Sequence, residues 1–211
     1  MKIALYYSPG ACSLAPHVAL IEIGLPFELK RFSTKDRLNF SKEYLAINPK
    51  GRIPALSVND LLLTENAAIL AYLGRNFPQS GIYPHEPEPE ARCLEWLAWC
   101  SNTAHVAFAQ ILRSERFVLS EEHHPLVQAS GHDNYKACLR LIEEHLTQHQ
   151  YAVGDRFTVV DPFWLVLFRW GVMQGYDMRQ GYPQFAQYIE KLLQRPSVIQ
   201  ALETEGISVW S

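Results

Sequence analysis

The sequence lacks any paired cysteine arrangement. Its four cysteines, Cys12, Cys93, Cys100 and Cys138, form no CxxC pair and no disulfide-rich pattern. That excludes a dithiol cycle run within the chain and points to a reducing, cytoplasmic setting. A basic surplus is also missing. Lys and Arg number 19 against 22 Asp and Glu, for a formal net charge of −3, so nothing favours a phosphate backbone as partner. No run approaches the ~20 apolar residues of a membrane helix, and the longest, FWLVLFRWGVM, is interrupted by Arg169. The opening MKIALYYSPG holds too short an apolar run for a signal peptide. There is no internal repeat and no low-complexity segment.

What is present is a foldable chain of 211 residues, 48% hydrophobic, long enough for a sizeable core in one large or two small domains. KIALYY, stopped by Pro9 and Gly10, predicts a strand. CSLAPHVALIEIG predicts a helix with proline in its first turn and Gly24 at its end. PFELKRF alternates as a second strand, and SKEYLAINPKG is a short helical turn closed by Asn48, Pro49 and Gly51. IPALSV and LLLTE read as strands joined at Asn59-Asp60. NAAILAYLGRNF is a helix with Ala68, Ile69, Tyr72 and Leu73 inward. The order β-α-β-α-β-β-α over residues 1–78 predicts a compact α/β layer with a mixed sheet.

Residues 79–90, rich in proline and glutamate, read as a linker. Residues 91–211 are helical in pattern. Cys93, Leu97, Cys100, Ala104, Phe108 and Ile111 recur at steps of three or four. YKACLRLIEEHLTQH is a second helix, FTVVDPFWLVLFRWGVM a buried central one, and PQFAQYIEKLLQRPSVIQAL the last one or two.

The chemistry concentrates at three places. Cys12 sits where a glycine-containing loop becomes a helix. Unpaired N–H groups there favour a thiolate, and Ser13 beside it offers a hydroxyl and a cap. The resolving position of a CxxC motif is Ala15, so exchange chemistry needs an outside thiol. A small residue at a tight turn is the competing account of Cys12. Ile53-Pro54 opens a strand, in cis with its main chain free for a peptide ligand, or in trans at a loop end. Glu65 and Asn66 begin a helix, where an anion, an ammonium held by Glu65, or plain capping all fit. Thr158 and Asp161 have capping-box spacing and read as folding residues. His123, His124 and His132 fall in a polar loop. His145 and His149, four apart, lack the further ligands a metal needs. Cys93, Cys100 and Cys138 lie on apolar helical faces and read as core packing, and His17 reads as a packing or surface residue.

YYSPGACSLAPHVAL, NPKGRIPAL, LLTENAAIL and GDRFTVVDP stand in the order and spacing of cytosolic glutathione S-transferases. The chain resembles that family from Met1 to about Arg195, and its first stretch is similar to the bacterial beta class. The resemblance implies a thioredoxin-like domain followed by an all-helical domain, in a cytoplasmic homodimer without metal. It implies glutathione as co-substrate and a small electrophilic second substrate. Ile53-Pro54 would be cis, with Ile53 pairing the cysteinyl part of glutathione. Glu65 and Asn66 would hold the γ-glutamyl end, and Lys35 the glycyl carboxylate. Cys12 would lie beside the glutathione sulfur, with His105 approaching from the long helix. Ser13 and Tyr7 join Cys12 and His105 as candidate catalytic groups. Phe108, Leu112, Trp164 and Phe168 are candidates for an apolar pocket facing Cys12, or for the core. The chain departs from the family pattern at Asn66 (commonly serine), Val106 (often lysine), Arg52 (commonly glutamine) and Pro162 (usually aliphatic); Arg52 would return to the glutathione site some of the charge lost at Val106. Two other functions stay open: a glutathione-dependent thiol-disulfide reductase or peroxidase using Cys12, and a non-catalytic binding protein of the same fold.

Overall fold

The structure, a computed structural model, describes residues 1–210. Strand β1 (Ile3–Tyr7) leads to helix α1 (Leu14–Ile23), β2 (Glu28–Arg31), α2 (Lys42–Ile47), β3 (Ala55–Val58), β4 (Leu61–Thr64) and α3 (Asn66–Asn76). The sheet order is β2-β1-β3-β4, with β1 and β2 parallel and the other pairs antiparallel. This is the mixed sheet of the expected order, in a thioredoxin-like layer. All five residues of β1 are buried, as its unbroken apolar run requires for a central strand. Asn59 makes the β3–β4 turn at φ 52°, where asparagine tolerates the left-handed region. Its main chain and side chain both bond Lys2.

Helix α1 ends at Gly24, whose left-handed φ of 75° lets its N–H close on Leu20 and Ile21 carbonyls. Leu14 to Leu20 are all buried, because α1 lies between the sheet and the helical layer. Helix α3 keeps Ile69, Leu70 and Leu73 inside; Ala68, expected inward, is exposed. Gly74 lets α3 approach the following segment, where an added side-chain carbon would meet Tyr83 at 2.3 Å.

The helical layer comprises α4 (Pro87–Trp99), α5 (His105–Leu112), α6 (His124–Leu146), α7 (Asp161–Met173), α8 (Met178–Gly181), α9 (Pro183–Leu192) and α10 (Pro196–Glu205). Helix α4 starts inside the stretch read as a linker, since Pro87 suits a first helical turn. A π turn at Cys100–Ala104 separates α4 from α5. The stripe from Cys93 to Ile111 is buried through it. The polar stretch from His124 is helix and not loop. Pro125 sits in its first turn, and its buried residues Gly131 and Tyr135 continue the apolar face of α6. Helix α7 is the buried centre. Asp161 starts it by accepting from the N–H groups of Thr158 and Ala152 and the hydroxyls of Thr158 and Tyr188. The reach back to Thr158 is the capping-box half expected, and Thr158 Oγ1 accepts from Val160 N–H at 3.4 Å. No helix among the described residues is long and apolar enough to cross a membrane.

Candidate functional site

The loop from Ser8 to Ser13 is held from both sides. Gly10 N–H donates to Glu205 Oε2 at 2.8 Å, and Gly10 O accepts from Trp170 Nε1 at 3.1 Å. Gly10 has φ +69°, and a side-chain carbon there would meet the Arg169 guanidinium at 2.6 Å, so only glycine fits. Ser13 is buried, its Oγ donating to Ser8 O and accepting from Ser8 N–H. That commits the hydroxyl to closing the loop; it neither caps α1 nor offers itself to a ligand. The capping role expected of Ser13 is therefore corrected.

Cys12, within this loop, is 4% exposed. Its thiol donates to Ile53 O at 3.5 Å. Burial pushes the thiol up to about 12, while its own main-chain N–H and the Arg113 charge pull the other way. The positive helix end expected to yield a thiolate is thus present but outweighed by desolvation. The group is a neutral S–H donor. The Ile53-Pro54 bond is cis, as the resemblance implied. Ile53 N–H has no partner among the described residues. Tyr44 Oη and Asn48 Nδ2 both donate to Arg52 O, at 2.6 and 2.7 Å, and fix this stretch from behind.

Glu65 stands at the head of α3 with φ 72°. A non-glycine residue there is strained, and such strain clusters at ligand sites. Its carboxylate accepts from Lys50 Nζ at 2.6 Å and stays exposed. Asn66 is buried. Its Nδ2 donates to Cys12 O at 3.1 Å, and its Oδ1 has no partner. Glu65 and Asn66 thus reach the same corner as Cys12 and Ile53.

His105, half-buried, sets its ring edge-on to Trp170 at 5.0 Å. Burial first, then the charges of Arg113, Arg52 and Arg116, bring it down to about 4, so it is neutral at physiological pH. Tyr7 faces His17 at 6.1 Å between ring centres, beneath α1. Burial raises its hydroxyl above the ordinary tyrosine value. Lys35 and Arg52 are exposed and form no ion pair among the described residues. No group of three or more His, Cys, Asp or Glu gathers to hold a metal among the described residues. His145 instead stacks on His149 and bonds Tyr151 O.

The apolar pocket needs correction. Trp164 and Phe168 are fully buried among Trp96, Phe185 and Trp210, on the core side of α7. Their i, i+4 spacing puts both on the inward face of a helix apolar nearly all round, which alternation alone cannot resolve. Phe108 is buried too, stacked on Trp170 at 4.3 Å, while Leu112 is half-exposed.

Some residues at the site gave no sequence signal. Glu205 and Trp170 reach Gly10 from far along the chain. Ser101, one turn before His105, has a buried, unpartnered Oγ; the π turn that carries it, a feature frequent at functional sites, has no sequence mark. Arg113 follows α5 and shares electrostatic range with Cys12 and Arg52.

A thioredoxin-like layer with a buried cysteine at the head of α1, a cis-proline loop against it and a helical layer behind define a class of thiol-handling proteins. Comparison with known proteins narrows the class. Residues 1–75 match the glutathione S-transferase N-terminal domain model and residues 120–196 the C-terminal domain model. Glutathione S-transferase GstA of Escherichia coli O157:H7 is 33% identical over 96% of this chain and 98% of its own. A solved Sulfitobacter glutathione transferase homolog with bound glutathione superposes with TM-score 0.91 at 30% identity, covering 98% of this chain and 99% of that one. A beta-class glutathione S-transferase of Sphingomonas chungbukensis superposes with TM-score 0.85 at 31% identity, over 99% and 100% of the two chains. The chain belongs to the glutathione S-transferase family.

Proposed function

We propose that this protein is a glutathione transferase that holds the glutathione thiolate for attack on an electrophilic carbon. The observation that carries the reading is the Cys12 thiol 3.5 Å from the Ile53 carbonyl, beside an unpartnered Ile53 N–H. An extended peptide pairs with exposed main chain of this kind. Glutathione then runs from Ile53 to the head of α3. Its ammonium goes to Glu65, and its γ-glutamyl carboxylate goes to the N–H groups there. Lys35 and Arg52 lie on the side of the glycyl carboxylate.

The neutral Cys12 thiol donates to the bound sulfur in place of Ile53 O. It joins the N–H groups at the start of α1 in favouring the thiolate. Neutral His105 closes the site from α5 without competing for charge. The thiolate forms the carbon–sulfur bond, and the leaving group departs with its electron pair. The redox alternative asks Cys12 itself to be the thiolate, which its burial opposes.

In this reading residues 1–78 bind glutathione, 79–90 connect, and 91–211 supply the second-substrate side. A homodimer belongs to the same proposal. It is supported by Leu61 and Leu62 on edge strand β4 and Leu94 on α4, all exposed. The four free thiols support a cytoplasmic location as part of the same proposal. The test is titration calorimetry with glutathione together with conjugation of 1-chloro-2,4-dinitrobenzene. Saturable binding and turnover that persists in Cys12→Ala support the transferase. No binding at millimolar glutathione overturns it. Turnover lost in Cys12→Ala, with disulfide reduction in the wild type, favours the redox enzyme.

A further inference from the structure

Arg169 is the one charge in the apolar run FWLVLFRWGVM. A guanidinium half-buried on the central helix gives up solvation, which only good partners offset. It forms no ion pair among the described residues. Its donors go to the main chain and to a thioether. Nε donates to Ser208 O at 2.8 Å, while Nη1 donates to Met173 Sδ at 3.0 Å and to Gly10 O at 3.5 Å. The approach to Gly10 is close, since a side-chain carbon added there would meet Nη1 at 2.6 Å.

Ser208 belongs to the segment that follows α10. Gly206, at φ +65°, ends that helix and lets the chain turn back, with Ile207 N–H closing on Leu202 O at 3.1 Å. Two side chains then anchor the segment. Val209 is buried. Trp210 lies edge-on to Phe168 at 5.2 Å, with the Arg179 guanidinium over its ring at 4.2 Å. Trp210 N–H donates to Ser208 Oγ at 3.1 Å, which fixes the turn that presents the Ser208 carbonyl.

The guanidinium is a rigid plane with its donors at fixed angles. Through that plane the anchored segment and the Gly10 carbonyl are set relative to each other. Gly10 stands two residues before Cys12. The turns Ala11 N–H to Ser8 O and Leu14 N–H to Ala11 O carry its placement into the head of α1.

We infer that Arg169 is a positioning residue, which uses the segment Ser208–Trp210 as a strap to set the loop bearing Cys12, and with it the thiol and N–H groups that meet the glutathione sulfur. The inference rests on the transferase reading and concerns how its site is held.

The readout is kcat/KM for 1-chloro-2,4-dinitrobenzene at saturating glutathione, followed from about pH 6 to 9, which reports ionisation of the bound thiol. Arg169→Ala moves the profile to higher pH. The loss is about tenfold at the acid end and small at the alkaline end, below the ~10²–10³ of removing a direct donor. Arg169→Lys keeps the charge without the fork and recovers only part. A chain ending at Ile207 repeats the Arg169→Ala shift, and the two changes together lose no more than either alone. Trp210→Ala loosens the strap, moves the profile the same way by less, and decides the matter where the shortened chain does not fold. A profile that stays put in Arg169→Ala or Trp210→Ala, with only the melting temperature lowered, overturns the proposal. So do additive losses in the combined variant, an equal loss at every pH, or full recovery by lysine, which assigns the effect to charge. Each of these leaves the transferase reading intact, whereas absence of glutathione binding to the wild type overturns both.

Discussion

Glu205, on the last helix, accepts a hydrogen bond from the main-chain N–H of Gly10 at 2.8 Å, across 195 positions of sequence. Its other carboxylate oxygen meets His17 Nδ1 at 2.9 Å. Trp170 holds the Gly10 carbonyl from α7. The loop bearing Cys12 thus takes its shape from the helical layer.

Glu205→Ala leaves Gly10 N–H and His17 buried without partners. Stability falls by about 2–4 kcal/mol, since each orphaned buried group costs about 1–3 kcal/mol. Glu205→Gln keeps the acceptor for Gly10 and loses less. Denaturant unfolding of both variants measures the difference.

Cys12 resists alkylation in the native enzyme. With the thiol raised to about 12, fewer than about one molecule in ten thousand carries the thiolate at neutral pH. Iodoacetamide modifies Cys12 only after unfolding, as peptide mass spectrometry would report. Ready labelling of the native protein at neutral pH contradicts the burial argument.

His105 stays neutral through the working range. Its native value near 4 lies below the ordinary ~6.5. Between those two values the unfolded chain takes up a proton that the folded chain does not. The His105 contribution is therefore fully present above ~6.5, declines as pH falls and levels off below about 4. The ring signal of His105 in nuclear magnetic resonance shows no titration near 6.5, and kcat/KM has no inflection there from this residue.

Glu65→Gln removes the charge proposed to meet the glutathione ammonium and keeps the side-chain length. KM for glutathione rises about tenfold or more, in line with ~1.5–3 kcal/mol for a charged hydrogen bond. The kcat changes little, because this contact is made equally in ground and transition states.

Asp161→Ala removes the acceptor for four donors at the head of α7. All are buried, and a loss above about 3 kcal/mol is expected. Thermal unfolding reports it. Asp161→Asn loses less, because the amide oxygen still accepts.

The layer order was legible because four of the first seven elements end on their own punctuation: β1 at Pro9 and Gly10, α1 at Gly24, α2 at Pro49 and Gly51, and β3 at Asn59. Periodicity also located the buried stripe from Cys93 to Ile111. It failed at His124 to Asn134, where a mostly polar surface hides a helix held by few inward residues. The site was half legible. Cys12, Ile53, Glu65 and Asn66 stand in local motifs, and they converge. Cys12's protonation state was not legible, because desolvation depends on what covers the thiol, and that cover is assembled by the fold. Trp164 and Phe168 misled because an all-apolar helix marks no direction. Glu205 and Trp170 act through contacts made only in three dimensions.

The ultraviolet thiolate absorbance, followed against pH with and without glutathione, tests the central claim most directly. The free enzyme should show no thiolate titrating in the neutral range. Added glutathione should bring a thiolate that titrates below the ~8.5 of an ordinary thiol and persists in Cys12→Ala. A thiolate already present in the free enzyme, or no new one on adding glutathione, would contradict the account.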